Sequence, residues 1–187
     1  MKNIFAISAF VLGSALLTSG AQAAPMPGTA TSKLVAPQLG IYRSPLGFEV
    51  GAGKSGWVHG SAPANNKFIA TLYHAPKKDK NAKSEGASLT VRVDKLEKEV
   101  ALDKYIQKWM KEYPKYGFDV LNSRAFTENK QKGYFLDLIN KDSGKQLRQV
   151  VFLKQKTAVI LTCRDKQANF KETLKNCNQI VRTFNWN

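Results

Sequence analysis

From Ile41 to Trp186 the chain switches between two hydrophobic periods. Two segments recur every three to four residues, the spacing that lines one face of a helix. In the first, Leu102, Tyr105, Ile106, Trp109, Met110 and Tyr113 share a face, and Asp103, Lys104, Lys108, Lys111 and Glu112 cover the other. Pro114 and Gly117 are the stop signals. In the second, Phe170, Leu174, Cys177, Val181 and Phe184 form the stripe, with Asp165 the expected N-cap. Both stripes predict packing onto a sheet rather than ligand boxes.

The remaining apolar segments are rich in β-branched and aromatic residues and predict strands at 67–74, 87–93, 118–127, 133–140, 145–154 and 158–163. The connections KDSG (141–144) and QKT (155–157) are too short for parallel crossovers, so the strands they join are antiparallel. An opening strand near Tyr42–Val50 completes the order of three strands, a helix, four strands and a helix. The expected class is α+β with an antiparallel sheet.

The first 40 residues have neither period. Lys2 precedes an apolar or small run from Ile4 to Leu17, and Ala21-Gln22-Ala23 has small residues at both positions of a cleavage signal. These are the three parts of a secretory leader, expected to be removed after Ala23. The apolar run is shorter than the roughly 20 residues of a spanning helix, so the expected product is exported, periplasmic or secreted, and not membrane-spanning. Residues 24–40 (APMPGTATSKLVAPQLG) are rich in Pro, Gly, Ser, Thr and Ala and read as a flexible arm. No comparable break divides residues 41–187, which read as one globular domain.

Charge changes this picture. The 187-residue chain carries a formal +15, and losing residues 1–23 removes only Lys2 to leave +14. Such a surplus attracts polyanions, and export makes intracellular nucleic acid an unexpected ligand. Lys77, Lys78, Lys80 and Lys83 crowd one hairpin loop against Asp79 alone. They form the candidate patch for an anionic partner, an acidic lipid or a glycan. Lys130 with Lys132, and Lys141 with Lys145, occupy two later turns. Lysine outnumbers arginine, which suits diffuse attraction better than bidentate recognition. The competing reading is that these lysines only keep the protein soluble.

Two cysteines, Cys163 and Cys177, read as one disulfide in an exported chain. One ends a strong strand and the other lies on the core stripe of the next helix. A metal set of these cysteines with His59 and His74 is the weaker alternative, because the histidines stand in unrelated contexts. The expected metal and cofactor content is none.

GAGKSG at 51–56 contains the Gly-Lys-Ser of a phosphate-binding loop, but the register is wrong. The loop's first glycine belongs at 48, which is Phe48; Gly47 is one residue too far. No helical period follows to hold a phosphate at its amino terminus. GAGKSG is therefore expected to be a turn, and no nucleotide is expected.

That turn belongs to a longer motif. Tyr42-Arg43-Ser44-Pro45-Leu46-Gly47-Phe48, a polar turn and then Trp57 resemble the opening strand, turn and tryptophan of PsbP-like domains. The resemblance continues through the helix containing Trp109 to the closing Ile180-Val181-Arg182-Thr183-Phe184, covering most of residues 41–187. It implies a central antiparallel β-sheet flanked by helices (an α/β/α sandwich) in a domain that binds other macromolecules. Relatives include an extrinsic photosystem II subunit, a Ran-binding nuclear transport factor and Eag-type effector chaperones. The leader argues against the last two roles, which are intracellular. The fold has no common catalytic constellation, so Tyr42, Phe48 and Trp57 carry over only as packing residues.

No catalytic set emerges from the residues themselves. A nucleophile needs an adjacent oriented base; Gly-x-Ser-x-Gly is absent, and His74 reads as a hydrogen-bonded edge histidine. Acid pairs are spatial and escape a linear reading. The expected function is an exported, non-enzymatic binding or accessory protein, either periplasmic or a secreted factor acting on a host or neighbouring cell, that recognises a protein or anionic surface. The alternative is a small secreted hydrolase or glycan-modifying enzyme with a carboxylate-based site.

Overall fold

The computed structural model of the chain describes residues 40–76 and 86–187. The leader, residues 24–39 of the arm, and Lys77, Lys78, Lys80 and Lys83 lie outside the described residues. Seven strands form an antiparallel sheet in the order β3-β4-β5-β9-β8-β7-β6. They are β3 (Val58–Gly60), β4 (Ile69–His74), β5 (Ser88–Lys95), β6 (Asp119–Glu128), β7 (Gln131–Asn140), β8 (Lys145–Lys154) and β9 (Thr157–Lys166). A smaller sheet has the order β1-β2-β10, from Ile41–Ser44, Phe48–Gly51 and Asn185–Trp186. Helix α1 (Leu102–Glu112) leads into a 3-10 turn at Tyr113–Tyr116, and α2 (Gln167–Val181) follows β9. The class is α+β.

Strand alternation sends each side of the large sheet to a different core. Leu136, Leu138, Val151, Ala158 and Ile160 meet Tyr105, Ile106 and Tyr113 of the α1 region. Their neighbours Phe135, Val150, Phe152, Val159 and Leu161 meet Phe170, Cys177 and Ile180 of α2. Phe48 and Val50 of the small sheet and Trp57 join this second core. The side chain of Phe184 stacks on Phe152 with centroids 4.0 Å apart and meets Phe48 at 5.9 Å, tying the two sheets together.

Several expectations need correction. Residues 42–50 are a hairpin rather than one strand, because Pro45-Leu46-Gly47 turns the chain: the Gly47 N–H donates to Ser44 O, and Gly47 has φ 79°. Strand β3 was not expected; with β1 and β2 separate, five strands precede α1. Strand β10 is too short for a periodic signal. Helix α2 begins after Lys166, which makes no side-chain cap. Asp165 is the penultimate residue of β9, and its carboxylate accepts from Thr173 Oγ1. The buried residues of α2 are Phe170, Thr173, Cys177 and Ile180, whereas Leu174 and Val181 are half-buried. The 3-10 turn that extends α1 ends where the sequence predicts a stop, in a left-handed Gly117 (φ 77°).

GAGKSG is a turn between β2 and β3. Gly53 has φ 58°, and a Cβ there would lie 2.8 Å from Gln179 O near the end of α2. The sequence after it forms no helix: Ser55 Oγ accepts the Trp57 N–H, and the chain enters β3.

Candidate functional site

The two cysteines meet as expected. Cys163 on β9 and Cys177 on α2 are disulfide-bonded, with Cα atoms 6.0 Å apart, and both are buried. Their sulfurs are thus unavailable as thiolate ligands. His59 is paired with Tyr73 across β3 and β4, and His74 is the next residue along β4, so the two imidazoles belong to opposite faces. His59 Nε2 shares a hydrogen bond with Thr71 Oγ1 at 2.6 Å, and His74 Nδ1 lies 3.1 Å from Ala75 O. Among the described residues no three His, Cys, Asp or Glu side chains gather as metal ligands.

The basic turns separate. Lys130 and Lys132 sit where β6 meets β7, and Lys141 and Lys145 where β7 meets β8. These are opposite ends of a ten-residue strand, roughly 30 Å apart. Lys141 reaches Asp119 at 2.8 Å. The ladder places the strand ends that bracket residues 77–85 at the Lys141 end of the sheet.

The less exposed carboxylates are already engaged. Asp137 takes both arms of Arg148, at 2.6 and 2.7 Å. Asp94 accepts from Arg92 at 3.1 Å and from the Tyr105 hydroxyl at 2.6 Å. Burial first, and then the Asp94 hydrogen bond, hold the Tyr105 hydroxyl well above its ordinary pKa. Tyr113 is pushed up to about 12 by burial, and its hydroxyl donates to Gln149 Oε1. Burial also raises Tyr73, whose hydroxyl donates to Val50 O at 2.7 Å. These phenols are protonated donors to fixed acceptors at neutral pH, not general bases.

Among the described residues, one open cavity of about 450 Å³ is lined by Leu102, Asp103, Phe126, Lys132 and Tyr134; two others each gather several cations. One, about 590 Å³, lies where the β1–β2 hairpin, the start of β4, the end of β5 and α1 come together. Phe68 and Leu46 contribute its exposed apolar surface, and Lys67, Lys95 and Lys108 supply three cations. The other, about 200 Å³, opens between β6–β8 and the carboxyl-terminal part of α2. Its apolar lining is Phe126, Phe135, Val150 and Val181; its charges are Arg124, Arg148, Arg182 and Glu128. The guanidinium carbons of Arg124 and Arg148 lie 4.9 and 4.5 Å from the Phe135 ring centroid. Arg182 approaches Glu128 at 3.7 Å.

Sequence reasoning missed this cluster because its arginines stand 24 and 34 residues apart on three elements. The available signal was strand parity: Arg124, Phe126 and Phe135, Arg148 and Val150 alternate onto one face, and Arg182 follows the α2 stripe.

This geometry belongs to a fold seen before. The chain is similar to the solution structure of cyanobacterial PsbP (CyanoP) from Synechocystis, at 12% identity and a TM-score of 0.56, covering 79% of this chain and 91% of that one. It is also similar to PA94 from Pseudomonas aeruginosa, a protein of unknown function described as a candidate regulator, at 16% identity and a TM-score of 0.54. That match covers 76% of this chain and 93% of PA94. The fold is PsbP-like. No protein-family model matches the chain, and no curated protein matches it in sequence. Among the described residues, no helix is long and apolar enough to cross a membrane.

Proposed function

We propose that the chain is an exported, non-enzymatic binding protein of the PsbP-like family, periplasmic or secreted, whose partner is a protein or an anionic surface. The two core clusters, one beneath each helix, are read as the interfaces of an α/β/α sandwich. One observation carries the functional reading: two of the cavities are ringed by cations, three arginines around one and three lysines around the other. The carboxylates in their linings, Glu128 and Asp94, each have a basic partner. An acid-catalysed hydrolase would instead need two free carboxylates across a cleft.

The leader supports export, and fractionation of the native organism tests it. Crosslinked capture with the mature domain tests the partner. Binding should weaken with rising salt and with charge reversal at Lys77, Lys78, Lys80 and Lys83. Indifference to both would remove the anionic partner. Turnover of a glycan or peptide by the purified domain would establish the hydrolase instead.

A further inference from the structure

The 200 Å³ cavity differs from a merely basic surface in one respect. Its three guanidinium groups are not equally satisfied. Arg148 is held by both oxygens of Asp137, and Arg182 has Glu128 beside it. Arg124 has no hydrogen-bonding or ion-pair partner among the described residues; its contact is the face of Phe135. Stacking on a ring orients a guanidinium while leaving its edge N–H donors free. Those donors form a fork that fits the two oxygens of a carboxylate.

The lining narrows the choice of anion. Phe135 and Val150 form a buried floor, but the half-buried Phe126 and Val181 would keep their exposed surface wet under a hydrated inorganic anion, whereas an apolar body attached to the charge would cover it. The volume equals about six or seven waters at roughly 30 Å³ each, enough for a group of single-ring size. It lies below the ~300–1,000 Å³ of sites for drug-sized ligands.

Three features oppose an anion here: the Asp137 carboxylate is taken up by both arms of Arg148, and the geometry separates the other two from Arg124. Glu128 is four residues further along β6, roughly 13 Å away. The carboxyl end of α2 presents carbonyls, but Asn129 Nδ2 donates to Arg182 O at 3.0 Å, and Ile180 O accepts from Thr183. The anionic group therefore belongs at Arg124, with the apolar body directed toward Val181.

We infer that this cavity binds an organic carboxylate carrying a compact apolar or aromatic body, with Arg124 as its principal ligand. The inference rests on the reading of the domain as a binding module for anionic partners. Such a group could be a free small acid or the carboxyl terminus of a partner peptide ending in an aromatic residue.

The test is an amide and arginine-Nε NMR titration of the mature protein at constant ionic strength. The probes are phenylacetate, phenylacetamide, a short peptide ending in phenylalanine, and that peptide's amide. Saturable shifts at Arg124, Phe126, Val181 and Arg182 are expected with the acids and not with the amides. Arg124→Gln should weaken binding at least tenfold, and Arg124→Lys less. Arg43→Gln, an exposed arginine paired with Glu49, should change nothing. Tighter binding of the peptide acid would make the source a chain terminus; tighter binding of phenylacetate would make it a small acid. Linear shifts, shifts confined to the lysine loops, equal binding of amides, or indifference to Arg124→Gln would each overturn the site. If the site fails while salt-sensitive capture of anionic vesicles persists, the binding-module reading stands without it.

Discussion

Under α1, several side chains that reach the sheet share polar partners within the same layer, although Arg92 Nε is buried without one. Tyr105 and Arg92 share Asp94, Arg92 lies over Trp109 at 4.9 Å, and Tyr113 bonds to Gln149. Under α2 the packing is more strongly fastened, by a disulfide and the Phe48–Phe184–Phe152 contacts, and it thins at β6, where the half-buried Phe126 is its border. At that border the apolar surface of Phe126 and Phe135 is left to arginines instead of to a helix. The α1 face is held by its own polar network and keeps a cavity at its β5 margin. The other is anchored at its centre and open at its edge, and an open edge lined by an unpaired charge is where a ligand can act.

The largest test of this contrast is Phe184→Ala. Removing a buried ring that joins both sheets should cost about 3–5 kcal/mol in urea unfolding. A cost near 1 kcal/mol would break the claim that the α2 face is the anchored one.

Reducing Cys163–Cys177 comes next. Closing a loop with a sequence separation of 14 should contribute about 3 kcal/mol. Intact-mass measurement should show two hydrogens fewer than the reduced chain, and unfolding with and without reductant should separate by that amount. Free thiols in the purified, non-reduced protein would remove the fastening.

On the α1 face the effects should be smaller. Tyr105→Phe deletes one hydrogen bond to a carboxylate that keeps Arg92, at a cost of about 1–2 kcal/mol. This face should also weaken in alkali. Folding raises Tyr113 from 10.0 to about 12, so the native state holds a proton that the unfolded chain releases. Its contribution is whole below pH 10 and is lost as pH climbs through about 12. An ultraviolet titration should show native tyrosines ionising late, and Tyr113→Phe should remove part of that late transition. A Tyr105→Phe cost exceeding that of Phe184→Ala would reverse the comparison.

The smallest stability effect should be Arg124→Gln, about 0.5 kcal/mol for an exposed cation–π contact. A much larger loss would assign Arg124 to the fold and weaken its assignment to a ligand.

The long elements were legible because burial on one side imposes a period. The strand at 145–154 and the stop of α1 at Pro114–Gly117 follow directly from side-chain spacing and backbone limits. So does the disulfide, since Cys163 and Cys177 share an inward face with residues that must be buried. The short elements were not legible. β3 and β10 have three and two residues, fewer than a period needs, and their status depends on strands distant in sequence. Asp165 shows the same limit: its carboxylate had a capping role available, but the ladder with Gln146 extended β9 past it.

Sequence alone thus determined the α+β class, the antiparallel neighbours, the cysteine pair and the failure of GAGKSG as a phosphate loop. Each follows from local spacing or a short connection. Only the tertiary structure decided that a second sheet forms, that the basic turns part to opposite ends, and that Arg124, Arg148 and Arg182 surround one cavity. These depend on strand order and on how far α2 reaches across the sheet. Local side-chain periods encode which face is buried, but not which distant residues will share its uncovered edge.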